Sequence, residues 1–367
     1  YKTKLMKNFF YKKKIIITGN TGFKGTWLTL WLLRYNCNIL GISKDVPTKP
    51  SLFKILNLEK KIKFKKLDIL NKAKLEKEIL KFKPDFIFHL AAQSIVSKSI
   101  KEPFENWNTN LIGTLNMLEI IRKLKNNCST VFITSDKCYK NLEKISGYKE
   151  TSILGGTDPY SASKAAIENL YFSHYRTYLS NKKNISSSTV RAGNVIGGGD
   201  FTNDRIVPDC MKSWKNKRIA RIRNPKAIRP WQHVLEPISG YLWLACNLKS
   251  KKFNGQSFNF GPKKSGIKNV SNLLNQMIVV WKNMKWKKID NKIKNETNIL
   301  VLNCKKSNKQ LHWYPVLSFK EMSELTASWY YQFNHNKKKI FDYTSSQIDH
   351  YIKKASNKNI LWTKNEN

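Results

Sequence analysis

The sequence predicts a doubly wound α/β fold, a parallel sheet covered by helices on both faces, with a smaller, mostly helical lobe toward the C terminus. Three observations predict it. A buried-strand pattern, Ile15-Ile16-Ile17, runs into a glycine-spaced loop, Gly19-Asn20-Thr21-Gly22-Phe23-Lys24-Gly25, and then an apolar helix. Short apolar strands alternate with helical stretches as far as Phe260. Beyond Pro262 the chain becomes helical and lysine-rich, with clustered Trp and Tyr.

Each element follows in order. Residues 12–19 read as the first strand, 26–34 as its helix and 38–43 as the second strand, the order of a right-handed dinucleotide unit. The first glycine permits the turn, the second lets a pyrophosphate approach the backbone, and the third packs helix against strand. Free N–H groups at the helix start suit an anion. Asp45, about 20 residues past the last glycine, suits a ribose diol, while Ser43 and Lys44 beside it leave room for a 2′-phosphate. A bland reading of Asp45, as a turn residue before Pro47, stands equally.

A third strand ends at Leu67-Asp68-Ile69, and a helix runs to residue 83. A strand over 85–90 then exits into Ala91-Ala92-Gln93, where small side chains let a cofactor lie against the backbone. A helix over 106–125 carries Asn110. The strand at 131–134 delivers Ser135-Asp136-Lys137 to its carboxyl end, where open α/β sheets hold ligands. The next helix bears Tyr160 and Lys164, four apart and so on one face, and continues to 179. An ammonium there stabilises a phenolate, drawing a group with pKa of about 10 toward neutrality. A strand over 186–190, a flexible loop over 193–200 and a short helix after Pro208 follow. Residues 228–234 lead into a helix to 248, and 256–260 form a final strand. The expected division is a dinucleotide-binding domain over 6–190, completed by about 228–260, and a substrate-binding lobe from 191–227 and 261–352.

The bulk composition excludes several classes. A chain of 367 residues with 41% hydrophobic and 12% aromatic content is globular. No run of about 18 apolar residues occurs, so no membrane span is expected. The N terminus is lysine-rich with no apolar stretch of leader length, Met6 reads as a natural start, and a cytoplasmic protein is expected. The six cysteines show neither paired nor metal-ligand spacing and read as buried free thiols, with no metal site. The formal charge of +42 invites a nucleic-acid reading, but the 67 basic residues are 58 lysines and nine arginines, and the lysines are scattered throughout. A solvated lysine surface fits better, and no nucleic-acid partner is expected. Six of the nine arginines lie between Arg191 and Arg229, where planar, two-pronged phosphate binding is the functional reading.

These residues resemble the extended short-chain dehydrogenase/reductase family, in its nucleotide-sugar branch. The resemblance is carried by G-N-T-G-F-K-G-T-W-L at 19–28, P-S-L-F at 50–53, H-L-A-A-Q at 89–93 and S-D-K-C-Y at 135–139. It continues in G-G-T-D-P-Y-S-A-S-K at 155–164, R-A-G-N-V-I-G-G-G-D at 191–200, I-R-N-P-K-A-I-R-P-W-Q-H-V-L-E-P at 222–237 and F-N-F-G-P at 258–262. It implies a homodimer or homotetramer that converts CDP-D-glucose to CDP-4-keto-6-deoxy-D-glucose and water with tightly bound NAD, for deoxysugars of bacterial surface polysaccharide. The implied cofactor set is Gly19, Thr21, Gly22, Phe23, Lys24, Gly25, Asp45, Asp68, Ile69, Ala91, Ala92 and Gln93, with Tyr160 and Lys164. The implied substrate set is Ser94, Asn110, Asn194, Arg205, Arg229 and His233, the two arginines clamping the diphosphate.

By the same resemblance Tyr160 takes the 4-hydroxyl proton and Lys164 lowers its pKa and holds the nicotinamide ribose. Ser135 bonds the developing carbonyl and Asp136 protonates the departing water. Lys137 stands where many relatives carry Glu; it acts as the C5 base or only orients Asp136 or a water. An adjacent ammonium lowers the Asp136 pKa unless desolvation outweighs it. The sequence also departs from the branch at Asn20, often His, at Ser94 for a proline, at Ser97 for a basic residue and at Ser135 for threonine. Rival readings are a dTDP- or GDP-sugar dehydratase, a nucleotide-sugar 4-epimerase, which needs Tyr160 and Lys164 alone, and a non-catalytic basic binding protein of the same fold.

Overall fold

The computed structural model describes residues 6–282, 284–289 and 299–364. At its centre lie seven parallel strands: β1 (Lys14–Thr18), β2 (Asn38–Ser43), β3 (Lys63–Lys66), β4 (Phe86–His89), β5 (Cys128–Ile133), β6 (Ile185–Ala192) and β7 (Ser257–Phe260). Their spatial order is β7-β6-β5-β4-β1-β2-β3. Ile16 of β1 lies opposite Leu40 of β2 and Ile87 of β4. Both faces are covered, which is why the β1 isoleucines are fully buried and the strand reads as a continuous apolar run. The chain builds outward from β1 to β3, then crosses back to place β4 on the other side of β1. That reversal opens a crevice at the carboxyl ends of β1 and β4.

Two cores sandwich the sheet. Ile15 and Ile17 face one, with Trp27 and Trp31 of helix Phe23–Arg34 and the helix Leu235–Asn247; Ile16, Leu40 and Ile87 face the other, with Met117, Ile121 and Tyr171. The C-terminal helices Phe319–His335 and Ile340–Asn357 belong to the first core. Trp31 meets Tyr351 at 5.7 Å and Trp362 at 6.3 Å between ring centres. A carbon added to Gly198 would collide with the Trp329 ring at 1.9 Å, so the C-terminal lobe is seated directly on the 193–199 loop.

The structure corrects three elements. The 193–200 segment is not a free loop: Val195–Ile196 pairs in parallel with Gln232–His233. The region after Pro262 also holds strands, Ile267–Asn269 against Ile228–Pro230 and Trp286–Lys288 against Ala220–Ile222. Their partners are distant in sequence, so no local pattern announces them; positions 283 and 290–298 of that region lie outside the described residues. The third strand ends at Lys66, leaving Asp68 and Ile69 in the turn beyond it.

Glu236 ties the two parts together. Its buried carboxylate accepts from the Val316 N–H at 2.9 Å, the Leu317 N–H at 2.7 Å and the Tyr351 hydroxyl at 2.7 Å. Burial outweighs these bonds and holds the carboxyl up, to about 7. A folded pKa above the unfolded value of about 4.3 means this group's stability contribution is complete at low pH and is lost as pH rises through about 7. Glu236→Gln is therefore expected to gain on the native chain between about pH 5 and about pH 8, by up to about 3 kcal/mol, as a widening gap between urea midpoints. A gap independent of pH would contradict the assignment.

Candidate active site

The cofactor groove starts where β1 ends. Gly19 has φ +72°, and an added Cβ would lie 2.7 Å from the Ala91 nitrogen, so the first turn and the exit of β4 touch through a bare glycine. A Cβ on Gly25 would lie 2.2 Å from the Gly19 oxygen, which fixes the third glycine by packing. Gly22 caps helix Phe23–Arg34, and a Cβ there would meet nothing closer than the Gly19 oxygen at 3.4 Å. The space in front of it is open, and the N–H groups of the first turn point that way with no acidic residue in the turn. These residues fit a dinucleotide pyrophosphate.

Beside the loop, the end of β2 is held by a small polar network. Ser43 Oγ donates to Asn20 Oδ1 at 2.8 Å and the Thr21 hydroxyl donates to the Asp45 carbonyl at 2.7 Å. The Asp45 side chain is exposed. Lys44 lies 3.5 Å from Asp68 and 3.6 Å from Glu105, an ammonium already matched by two carboxylates. That arrangement suits a ribose diol at Asp45 better than a 2′-phosphate. Ile69 is drawn into the second core against Gly113, with its carbonyl taken by Asn116, so its side chain does not face the groove.

Around the exit of β4, Gln93 and Asn110 turn inward. Asn110 is fully buried; its Oδ1 accepts from the Gln93 N–H at 2.8 Å, and its Nδ2 reaches the Gln93 carbonyl, Asn106 and Ser163. Ser163 Oγ in turn donates to the Tyr160 carbonyl at 2.7 Å. The expected substrate contact at Asn110 is thus a positioning hub, because every polar atom of its amide is already satisfied inside the protein. His233 is likewise buried: its ring lies edge-on to Trp27 at 5.9 Å, and burial pulls its pKa down to about 3. A neutral core histidine, it does not reach a substrate.

The reacting groups meet at the ends of β5 and of helix Pro159–His174. Ser135 is extended and caps the turn Asp136–Cys138: its Oγ accepts from the Lys137 N–H at 3.2 Å and donates to Asp136 Oδ1 at 3.0 Å. Asp136 is 4% exposed, and its Oδ2 has no hydrogen-bond partner. Burial raises its pKa, against the opposing pull of Lys137, Ser135, Lys24 and Arg229. Desolvation therefore outweighs the adjacent ammonium, and Asp136 is kept toward the protonated acid.

Tyr160 and Lys164 are both buried one helical turn apart, with Lys164 Nζ 5.9 Å from the Tyr160 ring centre. Burial pushes Tyr160 up to about 12, opposed chiefly by a hydrogen bond with Ser135. Burial also draws Lys164 down to about 8, with Lys24 adding to the effect. Burial thus weighs against both charged forms, and the Ser135 hydrogen bond is the largest influence opposing it at Tyr160.

The arginines divide. Arg205 pairs with Asp200 at 2.9 Å, reaches Ser94 Oγ at 3.3 Å, and acts electrostatically on Lys24. Arg229 is half-buried and acts on Asp136, while the Asn194 carbonyl is taken by the Gln232 N–H at 3.1 Å. Arg218, Arg221 and Arg223 are exposed. Arg191 is no phosphate clamp: it is buried against Glu168 at 2.8 Å, with the Tyr139 hydroxyl at 2.6 Å and Ser257 at 3.1 Å. Glu168 also accepts from Thr134 and Thr189, so this pair ties the end of β5 to the Tyr160 helix. Glu168 was missed; its spacing of four after Lys164, on the same helix face, was the available signal.

Comparison with known proteins agrees with this geometry. The profile of the family described as GDP-mannose 4,6 dehydratase matches residues 16–326. The chain is 40% identical over 355 residues to a CDP-glucose 4,6-dehydratase of Salmonella typhimurium, covering 93% of this chain and 98% of the relative. It is 26% identical over 344 residues to a CDP-paratose 2-epimerase of Salmonella typhi, covering 86% and 98%. A dTDP-glucose 4,6-dehydratase from Bacillus anthracis, solved in complex with NAD, superposes with a TM-score of 0.73 at 21% identity over 89% of this chain and 99% of that one. With a match that runs from the first strand to the C-terminal helices, the chain belongs to the GDP-mannose 4,6 dehydratase family of the extended short-chain dehydrogenases/reductases.

Proposed function

We propose that this protein is an NAD-dependent CDP-glucose 4,6-dehydratase, a hydro-lyase that converts CDP-D-glucose to CDP-4-keto-6-deoxy-D-glucose and water. The observation that carries the reading is Asp136, a buried carboxyl held toward its protonated form and hydrogen-bonded through Ser135 toward Tyr160. A 4-epimerase needs the Tyr160 and Lys164 pair but no acid for a departing hydroxyl. The 40% identical relative supports the cytidine nucleotide. Arg205 and Arg229, on the 191–227 and 228–234 segments, suit the diphosphate.

NAD held by the glycine loop and Asp45 supplies a two-electron acceptor that takes a hydride at one carbon and returns it at another. The chain's residues handle protons. Tyr160 accepts the proton of the sugar 4-hydroxyl, and Asp136 gives one to the leaving C6 hydroxyl. One proton enters at Tyr160 and one leaves at Asp136 in each turnover, and the Ser135 hydroxyl between them offers the path that resets both. Lys164 orients the pair from the next helical turn.

Exposed apolar side chains support assembly of two or four copies. Phe104 is 80% and Ile100 60% exposed on consecutive short helices, and Ile112 and Phe172 are exposed as well. Six unpaired cysteines suit a reducing cytoplasmic setting.

Incubation with NAD and CDP-, dTDP-, GDP- or UDP-glucose is expected to give a product lighter by one water with CDP-glucose alone. Deuterium placed at C4 should reappear in the C6 methyl group. Unchanged mass with inversion at C4 would identify an epimerase instead.

A further inference from the structure

We propose that Ser97 and Asp204 are positioning residues for Arg205: their hydrogen bond pins the turn that carries Arg205 to the exit of β4, where its guanidinium takes the substrate diphosphate. The proposal rests on the reading of Arg205 as a diphosphate ligand and goes beyond it. Ser97 stands out in the sequence only as a departure from its branch. In the fold its Oγ donates to Asp204 Oδ2 at 2.7 Å, a contact between segments 107 residues apart. Just before it, Ser94 Oγ accepts from Arg205 Nη2 at 3.3 Å. Two serines at the β4 exit thus hold two consecutive residues of the 200–205 segment.

Both sides of this clasp are anchored. Ser97 lies in the first turn of helix Val96–Lys101, and Ser99 of that helix is fully buried, its Oγ accepting from the Tyr160 N–H at 3.2 Å. The helix that bears Ser97 is therefore registered against the helix that bears Tyr160. On the other side Asp200 is buried. Its Oδ1 accepts from the Thr202 N–H at 3.1 Å and its carbonyl from the Tyr330 hydroxyl. Asp200 Oδ2 holds one edge of the Arg205 fork, accepting from Nη1 at 2.9 Å. Between these anchors the chain turns at Asp204, with φ +61°.

A residue with a Cβ keeps a left-handed backbone where its surroundings hold it there, aspartate more readily than most. Arg205 follows at once, extended at φ −118° and ψ 136° as the residue before helix Ile206–Lys215, and its side chain makes no capping bond to that helix. The direction of the guanidinium is thus set by the turn at 204. An arginine grips two phosphate oxygens only when its plane is presented correctly. Without the Ser97 bond the turn loses its tie to the β4 exit, and the ordering of the Arg205 side chain falls on substrate binding instead. The bond is exposed, so its effect on affinity is modest, about 5-fold. Ser97 and Asp204 act through Arg205, so the chemical steps proceed as before once substrate is bound.

The test uses the full chain loaded with NAD. It measures the affinity for CDP by calorimetry, that for cytidine by displacement of CDP, and KM and kcat for CDP-glucose. Ser97→Ala is expected to weaken CDP about 5-fold, leave cytidine unchanged and raise KM by the same factor, with kcat within about twofold of native. Asp204→Asn and Asp204→Gly both remove the charge and both accept a left-handed turn, but only asparagine keeps the acceptor. The glycine variant is therefore expected to bind CDP about 5-fold more weakly than the asparagine variant, and adding Ser97→Ala to it should bring no further loss. Equal CDP binding by the asparagine and glycine variants, a loss shared by cytidine, or additive losses in the double variant would overturn the proposal. Arg205→Met tests the underlying reading separately. Native CDP affinity in that variant would remove Arg205 from the diphosphate, and this role with it, whereas weak binding there beside native binding in Ser97→Ala would strike the positioning role alone.

Discussion

Replacing Asp136 by asparagine is expected to lower overall turnover about 1,000-fold while leaving oxidation at C4 intact, so that reduced nicotinamide accumulates on adding substrate. Asparagine keeps the shape and still accepts the Ser135 hydroxyl through Oδ1, but it has no acidic proton to give the C6 oxygen. A loss of that size corresponds to about 4 kcal/mol of barrier, within the range of a positioned general acid. Because burial raises the Asp136 pKa, the acid form is held at low pH and lost as pH rises through the shifted value. The alkaline limb of kcat should therefore belong to Asp136 and vanish in the asparagine variant. Retention of more than a tenth of native turnover, or no build-up of reduced nicotinamide, would remove Asp136 from the acid role.

Arg191→Met is expected to cost about 3–5 kcal/mol of stability, among the largest effects available in this chain. The substitution strands Glu168, which is 3% exposed and whose pKa is held below the usual carboxylate range only because Arg191 and its hydrogen bonds outweigh burial. An unpaired buried charge is far more costly than the pair's net worth, so the double variant Arg191→Met with Glu168→Leu should recover much of the loss. Urea unfolding of the single and double variants checks this. Additive losses would show that the two side chains do not act as a unit. Since Glu168 lies one turn beyond Lys164, the single variant should also lose activity before it unfolds.

Much of this molecule is written locally. The β1 isoleucines, the glycine loop and the spacing of Tyr160 and Lys164 are short-range patterns, and each sits where the pattern places it. Ser135-Asp136-Lys137 falls at a strand end for the same reason. What escaped the sequence is set by distant partners. Nothing near Asn110 shows that its amide will be consumed by Gln93 and Ser163, nor that Trp27 will enclose His233. Arg191 looked like a phosphate ligand because arginine is scarce here, and its buried partner lies on another element. The balance of charge and burial at Asp136 and Tyr160 is likewise a property of the packed interior, which a run of letters does not carry.

The contact of Trp31 with Tyr351 and Trp362 has a consequence for how the protein is made. The helix that opens the nucleotide groove leaves the ribosome early, yet the side chains that cover its outer face are translated more than 300 residues later. Until then Trp31 lacks those two partners on the nascent chain, and an uncovered indole is the sort of surface that chaperones bind. Such long-range closure makes folding slow. The helix that opens the nucleotide groove therefore completes its packing only against residues near the far end of this sequence.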